Sequence, residues 1–163
     1  MLSETDLEYL RRCVELARQG MAQGNSPFGS LLLGAGGQVL FEGHNDTVQG
    51  DATLHPEIEI ARWASRHLDA EQRRAATVYT SGEHCPMCSA AHGWAGLGRI
   101  VYASSSRQLA AWMAEWGIAP GPVRTLAIED VISGVQVDGP APELADEIRA
   151  LQQEYFSKNS RPA

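Results

Sequence analysis

Strand-like and helix-like segments alternate along most of this 163-residue chain, and that alternation restricts the fold more than any other feature. Short apolar runs such as Leu31–Leu33 are separated by longer stretches in which apolar side chains recur every three or four positions. The predicted order is α-β-β-α-β-α-β-α. Strands that alternate with helices predict an α/β fold, in which a sheet has helices packed on both faces.

Apolar periodicity, together with the glycines and prolines that interrupt it, gives the position of each predicted element. The elements are a helix capped by Ser3 that ends near Gly24, a hairpin of strands 28–33 and 38–41, a helix from Pro56 to about His67, a strand 76–80, a helix 85–95, a strand 99–103 and a helix 107–116. The last pair is a strand at either 125–128 or 134–137, followed by a helix over 142–156.

Length and composition predict one domain that covers residues 1–163. A chain of this size buries about 70% of its unfolded surface, and no repeat or linker divides it. No apolar run approaches the roughly 20 residues of a membrane span, and the acidic N-terminal residues differ from a basic secretory signal. Because three cysteines are too few for a disulfide framework, we expect a soluble protein of the reducing cytoplasm, with no membrane partner.

The charge balance argues against a nucleic-acid partner. The chain has 13 Lys and Arg against 20 Asp and Glu, which gives a net charge of -7 and an isoelectric point near 5.2. Binding to phosphate backbones requires a basic surface. The arginine pairs Arg11-Arg12 and Arg73-Arg74 lie among carboxylates, so we interpret them as solvated helix faces.

The first of two chemically informative stretches is His55-Pro56-Glu57. A residue before proline is excluded from helical geometry, whereas proline suits the first position of a helix. His55 is therefore predicted to cap the helix that begins at Pro56. Glu57 then lies in the first turn, where its carboxylate can lie beside the imidazole without taking the same metal position.

The second stretch is Cys85-Pro86-Met87-Cys88. Cysteines three positions apart at a helix start place their sulfurs on one side, near free N–H groups that favour thiolates. Two thiolates and the imidazole of His55 suit Zn²⁺, and three protein ligands leave the fourth tetrahedral position open for water, as in catalytic zinc sites. Glu57 would be the base that a hydrolysis expelling an amine requires.

The combination of His55-x-Glu57 with Cys85-x-x-Cys88 resembles the zinc-dependent cytidine and nucleobase deaminase superfamily. The resemblance implies a three-layer α-β-α sandwich with a five-stranded mixed sheet, zinc ligands His55, Cys85 and Cys88, and Glu57 as the proton shuttle. It also implies that water replaces an exocyclic ring amine, with release of ammonia. His84 stands where the family usually has proline, which leaves the ligand spacing intact.

The resemblance also suggests substrate contacts, each with a structural alternative. The candidates are Asn45 as a hydrogen-bond partner of the ring or a turn residue, Phe28 as a pocket or core side chain, Glu83 as an acceptor or a surface charge, Trp94 as a stacking, core or dimer-contact residue, and Glu154 and Tyr155 as a closing tail or part of an amphipathic helix. Members of the family are commonly homodimers, so a homodimer is expected.

Several reactions remain open at this point. The pattern is closest to deaminases of free heterocycles such as guanine, cytosine, 5-azacytosine or aminated s-triazines. Alternatives are a tRNA adenosine deaminase, a cytidine deaminase, and a non-catalytic zinc module in which His44, His84 or Cys13 fills the fourth ligand position.

Overall fold

The computed structural model describes residues 2–159 and arranges them around a five-stranded sheet. The elements are α1 (Glu4–Ala22), β1 (Gly29–Leu33), β2 (Val39–His44), α2 (Pro56–His67), α3 (Ala70–Ala75), β3 (Thr77–Gly82), α4 (Pro86–Ala95), β4 (Arg99–Ser104), α5 (Ser106–Glu115), α6 (Ile128–Val131), β5 (Val137–Asp138) and α7 (Ala145–Asn159). No helix within this range is both long enough and apolar enough to cross a membrane.

The sheet is mixed and has the strand order β2-β1-β3-β4-β5. Strand β1 is antiparallel to β2 and β3, whereas β3, β4 and β5 run parallel. The two connections between the parallel strands each contain helices, as such crossovers require. The expected α/β fold with a five-stranded mixed sheet is confirmed.

Neighbouring residues of the central strands pack against different helices, because successive strand side chains point to opposite faces. Leu31 belongs to an apolar cluster with α1, α5 and α7, whereas Leu32 packs with α2 and the end of α4. The sheet therefore separates two helical layers. Helices α2 and α4, which begin at the His55 and Cys85 motifs, share one of these layers.

The elements differ from the prediction in two places. Helix α3 was missed, although Asp69 and Gln72 form the reciprocal hydrogen bonds of a capping box at its start. The proposed strand at 125–128 is wrong, because α6 begins at Ile128 and the last strand is Val137–Asp138. That strand overlaps the alternative at 134–137 and pairs with Ile100 and Val101 of β4.

A charged network connects α1 to β3, β4 and β5. Asp6 is 5% exposed, and its Oδ1 atom lies 2.7 Å from Nη1 of Arg99. The same oxygen accepts a 2.8 Å hydrogen bond from the hydroxyl of Tyr79. The Nε of Arg99 lies 2.7 Å from Oδ2 of Asp138. Burial raises the pKa of Asp6, but hydrogen bonds from Arg99, Ser3 and Tyr79 outweigh burial and hold that pKa well below its ordinary value.

We expect Arg99→Met to lower the free energy of unfolding at pH 7 by about 3 kcal/mol, because it leaves the Asp6 carboxylate buried without its cation. Since the folded-state pKa of Asp6 is depressed, the stabilisation is present above its ordinary pKa of 3.8 and is lost as the pH falls below it. Urea unfolding at pH 7 and pH 3 should therefore show a smaller difference between the proteins at pH 3.

Arg149→Met is the matched control, because the ion pair between Arg149 and Glu115 is largely exposed. Its effect should stay below about 1 kcal/mol at either pH. Equal effects of the Arg99 and Arg149 substitutions would show that burial of Asp6 adds nothing to its ion pair.

Candidate metal centre and active site

The start of α2 places His55 beside the start of α4. His55 is the N-cap residue, with extended φ and ψ angles of -94° and 144°, and Pro56 occupies the first helical turn. This arrangement confirms the capping prediction, because a residue before proline avoids helical geometry and proline needs no N–H partner there. The imidazole is thereby directed out of the helix start.

Cys85 and Cys88 meet that imidazole from the start of α4. The Nδ1 atom of His55 lies 3.7 Å from the sulfur of Cys85 and 3.6 Å from the sulfur of Cys88. The three ligand atoms lie within 4.8 Å of one another. A tetrahedral zinc with bonds of about 2.3 Å to sulfur and about 2.0 Å to nitrogen separates such ligands by about 3.5 Å. The donor set and its spacing therefore fit zinc.

The two thiols differ in how their surroundings affect ionisation. Hydrogen bonds with Cys88 and His55 lower the pKa of Cys85 to about 4, although burial acts in the opposite direction. The hydrogen bond to Cys85, together with burial, raises the pKa of the Cys88 thiol. A divalent cation between the sulfurs reverses the second effect, because a coordinating thiol is deprotonated. The protein thus supplies one thiolate readily and a second when a cation is bound.

Glu57 is close to this group and is fixed by two hydroxyls. Its side chain is 6% exposed, and its Oε1 accepts hydrogen bonds from Ser30 at 2.8 Å and from Thr80 at 3.0 Å. Neither hydroxyl was predicted from the sequence. The available signal was the single serine in the otherwise apolar β1, and Ser30 and Thr80 are paired in register across β1 and β3.

The residues that could have supplied a fourth ligand do not join the group. Within residues 2–159 the metal-binding cluster consists of His55, Cys85 and Cys88, without His44, His84 or Cys13. The ring of His84 is buried against that of His92, with a centroid distance of 5.5 Å. The sulfur of Cys13 lies in the apolar cluster on the α1 side of the sheet. The structure therefore favours a three-ligand centre over the four-ligand structural module.

A cavity of about 140 Å³ opens beside Glu57, His55 and Cys85. Phe28 and Asn45, both expected as substrate contacts, line it. Asn45 is 2% exposed, its Nδ2 donates to Ser26 at 2.7 Å, and its buried Oδ1 has no hydrogen-bond partner in the described part of the chain. Buried polar atoms are normally paired, so this oxygen can accept a hydrogen bond from a bound molecule.

Glu83 also lines the cavity, but its carboxylate is already engaged. One oxygen accepts a 2.8 Å hydrogen bond from the N–H of Ser106, and the other accepts a 3.0 Å hydrogen bond from the N–H of Ile128. Glu83 therefore holds the starts of α5 and α6 together, a role that the sequence analysis did not foresee. Because both of its oxygens accept hydrogen bonds from the backbone, Glu83 is not a free surface charge, which was the structural alternative.

Three other expected substrate contacts lie away from the cavity. Trp94 is 92% exposed, because the buried face of α4 is formed by other residues, such as Cys88 and His92. On α7, Glu154 pairs with Lys158 at 2.6 Å, and the ring of Tyr155 packs against Phe156. None of the three lines the cavity in the described chain, and α7 buries Ile148 and Leu151 as an amphipathic helix, which was the structural alternative for Glu154 and Tyr155.

Comparison with known proteins identifies the family. Residues 3–104 match the family model described as the cytidine and deoxycytidylate deaminase zinc-binding region. The chain therefore belongs to this zinc-dependent deaminase family, and the family's zinc-binding region includes the cluster of His55, Cys85 and Cys88.

Three curated relatives carry different substrates in their names. A probable cytosine deaminase of Schizosaccharomyces pombe is 34% identical over 66% of this chain and 65% of its own length. A guanine deaminase of Bacillus subtilis is 38% identical over 59% and 62%. A tRNA-specific adenosine deaminase of Haemophilus influenzae is 32% identical over 63% and 60%. The chain thus matches less than two thirds of the length of each relative.

A solved structure of guanine deaminase from Nitrosomonas europaea resembles almost the whole chain. The TM-score is 0.68 at 25% identity, with 91% of this chain and 83% of the other covered. The similarity therefore extends beyond the zinc-binding region into the C-terminal elements.

Proposed function

We propose that this protein is a zinc-dependent deaminase that converts the exocyclic amine of a small free heterocycle to an oxo group and releases ammonia. Guanine, cytosine, 5-azacytosine and aminated s-triazines are the proposed substrates. One observation carries the proposal: a carboxylate that is not a metal ligand, Glu57, lines a small cavity together with two members of a three-ligand zinc cluster. The family membership and the relatives named for cytosine and guanine support it.

The roles of the side chains follow from their positions. His55, Cys85 and Cys88 would hold the zinc, which would supply a Lewis acid able to activate water near neutral pH. Glu57, held by the hydroxyls of Ser30 and Thr80, accepts one proton from water and delivers it to the ring nitrogen. It then accepts the second proton of that water from the hydroxyl on the ring carbon and delivers it to the departing amine. One water is consumed and one ammonia is released for each amine replaced.

The substrate ring is positioned by the two residues on the other walls of the cavity. The unpartnered Oδ1 of Asn45 accepts a hydrogen bond from a ring N–H. The ring of Phe28 packs on the face of the heterocycle, as aromatic side chains commonly do. These contacts fix which ring carbon faces the attacking water, and orientation of this kind is a large part of catalysis.

The size of the cavity supports a free base rather than a nucleoside. A cavity of about 150 Å³ holds one benzene molecule. The cavity beside Glu57, at about 140 Å³, accordingly has room for a single small ring system. A ribose attached to that ring has to lie outside it.

Adenosine in tRNA is the second candidate, because a tRNA-specific adenosine deaminase is among the relatives. The net charge of -7 argues against it, since RNA binding relies on Lys and Arg contacts to phosphates.

A homodimer stays part of the proposal and rests on Trp94, which borders a groove between α2 and α4 at 92% exposure. Light scattering of the purified chain tests the dimer. Zinc-binding thiolates persist in a reducing compartment, which supports the cytoplasm as the location.

A coupled ammonia assay on zinc-loaded protein tests the proposal directly. The panel contains guanine, cytosine, 5-azacytosine, adenine, ammeline, cytidine and deoxycytidine, with tRNA titrated at about 150 mM salt as a separate arm. We expect one free base to exceed every nucleoside in kcat/KM by at least about 100-fold. Preference for a nucleoside, ammonia from none of the panel, or tight and steeply salt-dependent tRNA binding would contradict the proposal.

A further inference from the structure

The segment between α5 and α6 forms one wall of the cavity, and its C-terminal end is held by a residue of the same cavity. Val123, Arg124 and Thr125 line the cavity beside Glu57 and Glu83. The carboxylate of Glu83 accepts hydrogen bonds from the N–H of Ile128, which directly follows the segment, and from the N–H of Ser106, at the start of α5. The C-terminal end of the wall is therefore attached to Glu83, two residues ahead of the zinc ligand Cys85.

Arg124 is the one arginine or lysine among the described residues that line this cavity. Arg124 is exposed, and within residues 2–159 its guanidinium forms no ion pair and no hydrogen bond, so its N–H groups can meet a bound molecule. The two carboxylates of the cavity are engaged elsewhere, Glu57 with hydroxyls and Glu83 with backbone N–H groups. The backbone of Arg124 is in a tight turn, in which the N–H of Leu126 donates to the Arg124 carbonyl at 3.1 Å.

An arginine in this position offers chemistry that the rest of the cavity lacks. The guanidinium is always charged, presents five N–H donors and accepts nothing. Asn45 contributes an unpartnered acceptor, and Phe28 contributes an apolar face. Bound ring N–H groups are thus matched by Asn45, whereas acceptor oxygens on a bound ring have Arg124 as their charged partner.

We propose that Arg124 is a specificity-determining residue that selects aminated heterocycles carrying an acceptor oxygen, such as a ring carbonyl, on an edge away from the amine. The inference rests on the proposed function, because it assumes that a heterocycle occupies this cavity with its amine toward Glu57. A hydrogen bond to a charged donor contributes enough to favour such a ring by about 10- to 100-fold. Heterocycles without the oxygen gain nothing from Arg124 and leave the guanidinium in water.

The experiment compares cytosine with 4-aminopyrimidine and guanine with 2-aminopurine, pairs in which one member lacks the ring carbonyl. Because the oxygen-free member also lacks the ring N–H beside that carbonyl, each compound is compared between wild type and the Arg124 variants, so that the effect of the N–H is common to all proteins. Zinc-loaded wild type, Arg124→Ala and Arg124→Gln are assayed for kcat/KM by ammonia release and for Kd by equilibrium dialysis. Arg107→Ala is the matched control, since Arg107 is exposed on α5 and does not line the cavity. Thermal unfolding midpoints of all variants verify that the fold is retained.

We expect Arg124→Ala to weaken binding and lower kcat/KM by about 10- to 100-fold for the oxygen-bearing member of the preferred pair, and by less than about threefold for its partner. Arg124→Gln keeps a donor and should fall between, and Arg107→Ala should match wild type. Equal losses for both members of the pair, or no loss for either, would overturn the inference.

The two proposals fail in different ways. In the first case, wild type binds cytosine or guanine in preference to the oxygen-free partner, Arg124→Ala lacks that preference, and neither protein releases ammonia. This result would refute the proposed function while supporting the role of Arg124 in binding. Wild type that releases ammonia with the same profile as Arg124→Ala would support the function and overturn the inference.

Discussion

Replacing Glu57 with glutamine is expected to lower kcat for ammonia release by about 1000-fold without loss of zinc. Glutamine keeps the length of the side chain and an oxygen that can accept the hydrogen bonds from Ser30 and Thr80. It removes only the ability to take up and return a proton. Because Glu57 lies outside the ligand cluster, the metal content should not change.

The measurement pairs a coupled ammonia assay with zinc analysis of the same preparation. Glu59→Gln is a matched control, since Glu59 lies two residues further along α2, is partly exposed and pairs with Arg62 on the surface. The control should keep at least about half of the wild-type turnover, as expected for a surface ion pair of little energetic value. Full turnover in Glu57→Gln would rule out the proton-transfer role, and loss of zinc would show that Glu57 supports the metal instead.

Removal of a sulfur ligand is expected to have the second large effect. Cys88→Ala should weaken zinc binding by more than about 100-fold, since even second-sphere substitutions commonly cost 10- to 100-fold. Ammonia release should fall to background, because neither the Lewis acid nor its activated water is held. Zinc that binds the folded state stabilises it, so the rise in thermal midpoint on zinc addition should also disappear.

Cys13→Ala provides a control of the same chemistry at a different place. Cys13 and Cys88 are equally buried, yet only Cys88 lies in the metal cluster. Removing the Cys13 sulfur leaves a small cavity in the core and lowers the unfolding free energy, with zinc content and turnover retained. Cys88→Ala protein that binds zinc as tightly as the wild type would contradict the assignment of the metal centre.

The sequence predicted those parts of the molecule that depend on local patterns. Apolar periodicity and caps located the helices that begin near Ser3 and Pro56, and the alternation of strands and helices gave the α/β class. The proline after His55 predicted the helix start that directs the imidazole outward. The cluster of His55 with the two cysteines could be anticipated because each motif fixes its own geometry within a few residues.

What the sequence did not predict depends on contacts between distant segments. Ser30 and Thr80 both reach Glu57 because β1 and β3 pair in the register that places these two residues opposite each other. Glu83 reaches the N–H of Ile128 across 45 positions of chain. Trp94 could have faced either side of α4, and its exposure follows from the packing of that helix against α2 and α6. The two-residue strand β5 is too short to show a period of its own.

Zinc-edge X-ray absorption of the zinc-loaded protein tests the central claim, a catalytic metal centre with three protein ligands, most directly. We predict one zinc per chain, with two sulfur ligands at about 2.3 Å and two nitrogen or oxygen ligands at about 2.0 Å. Of the latter two, one is the imidazole of His55, whose signal should be absent from the spectrum of His55→Ala, and the other is a solvent molecule. A third sulfur, a second histidine, or no bound zinc would contradict it.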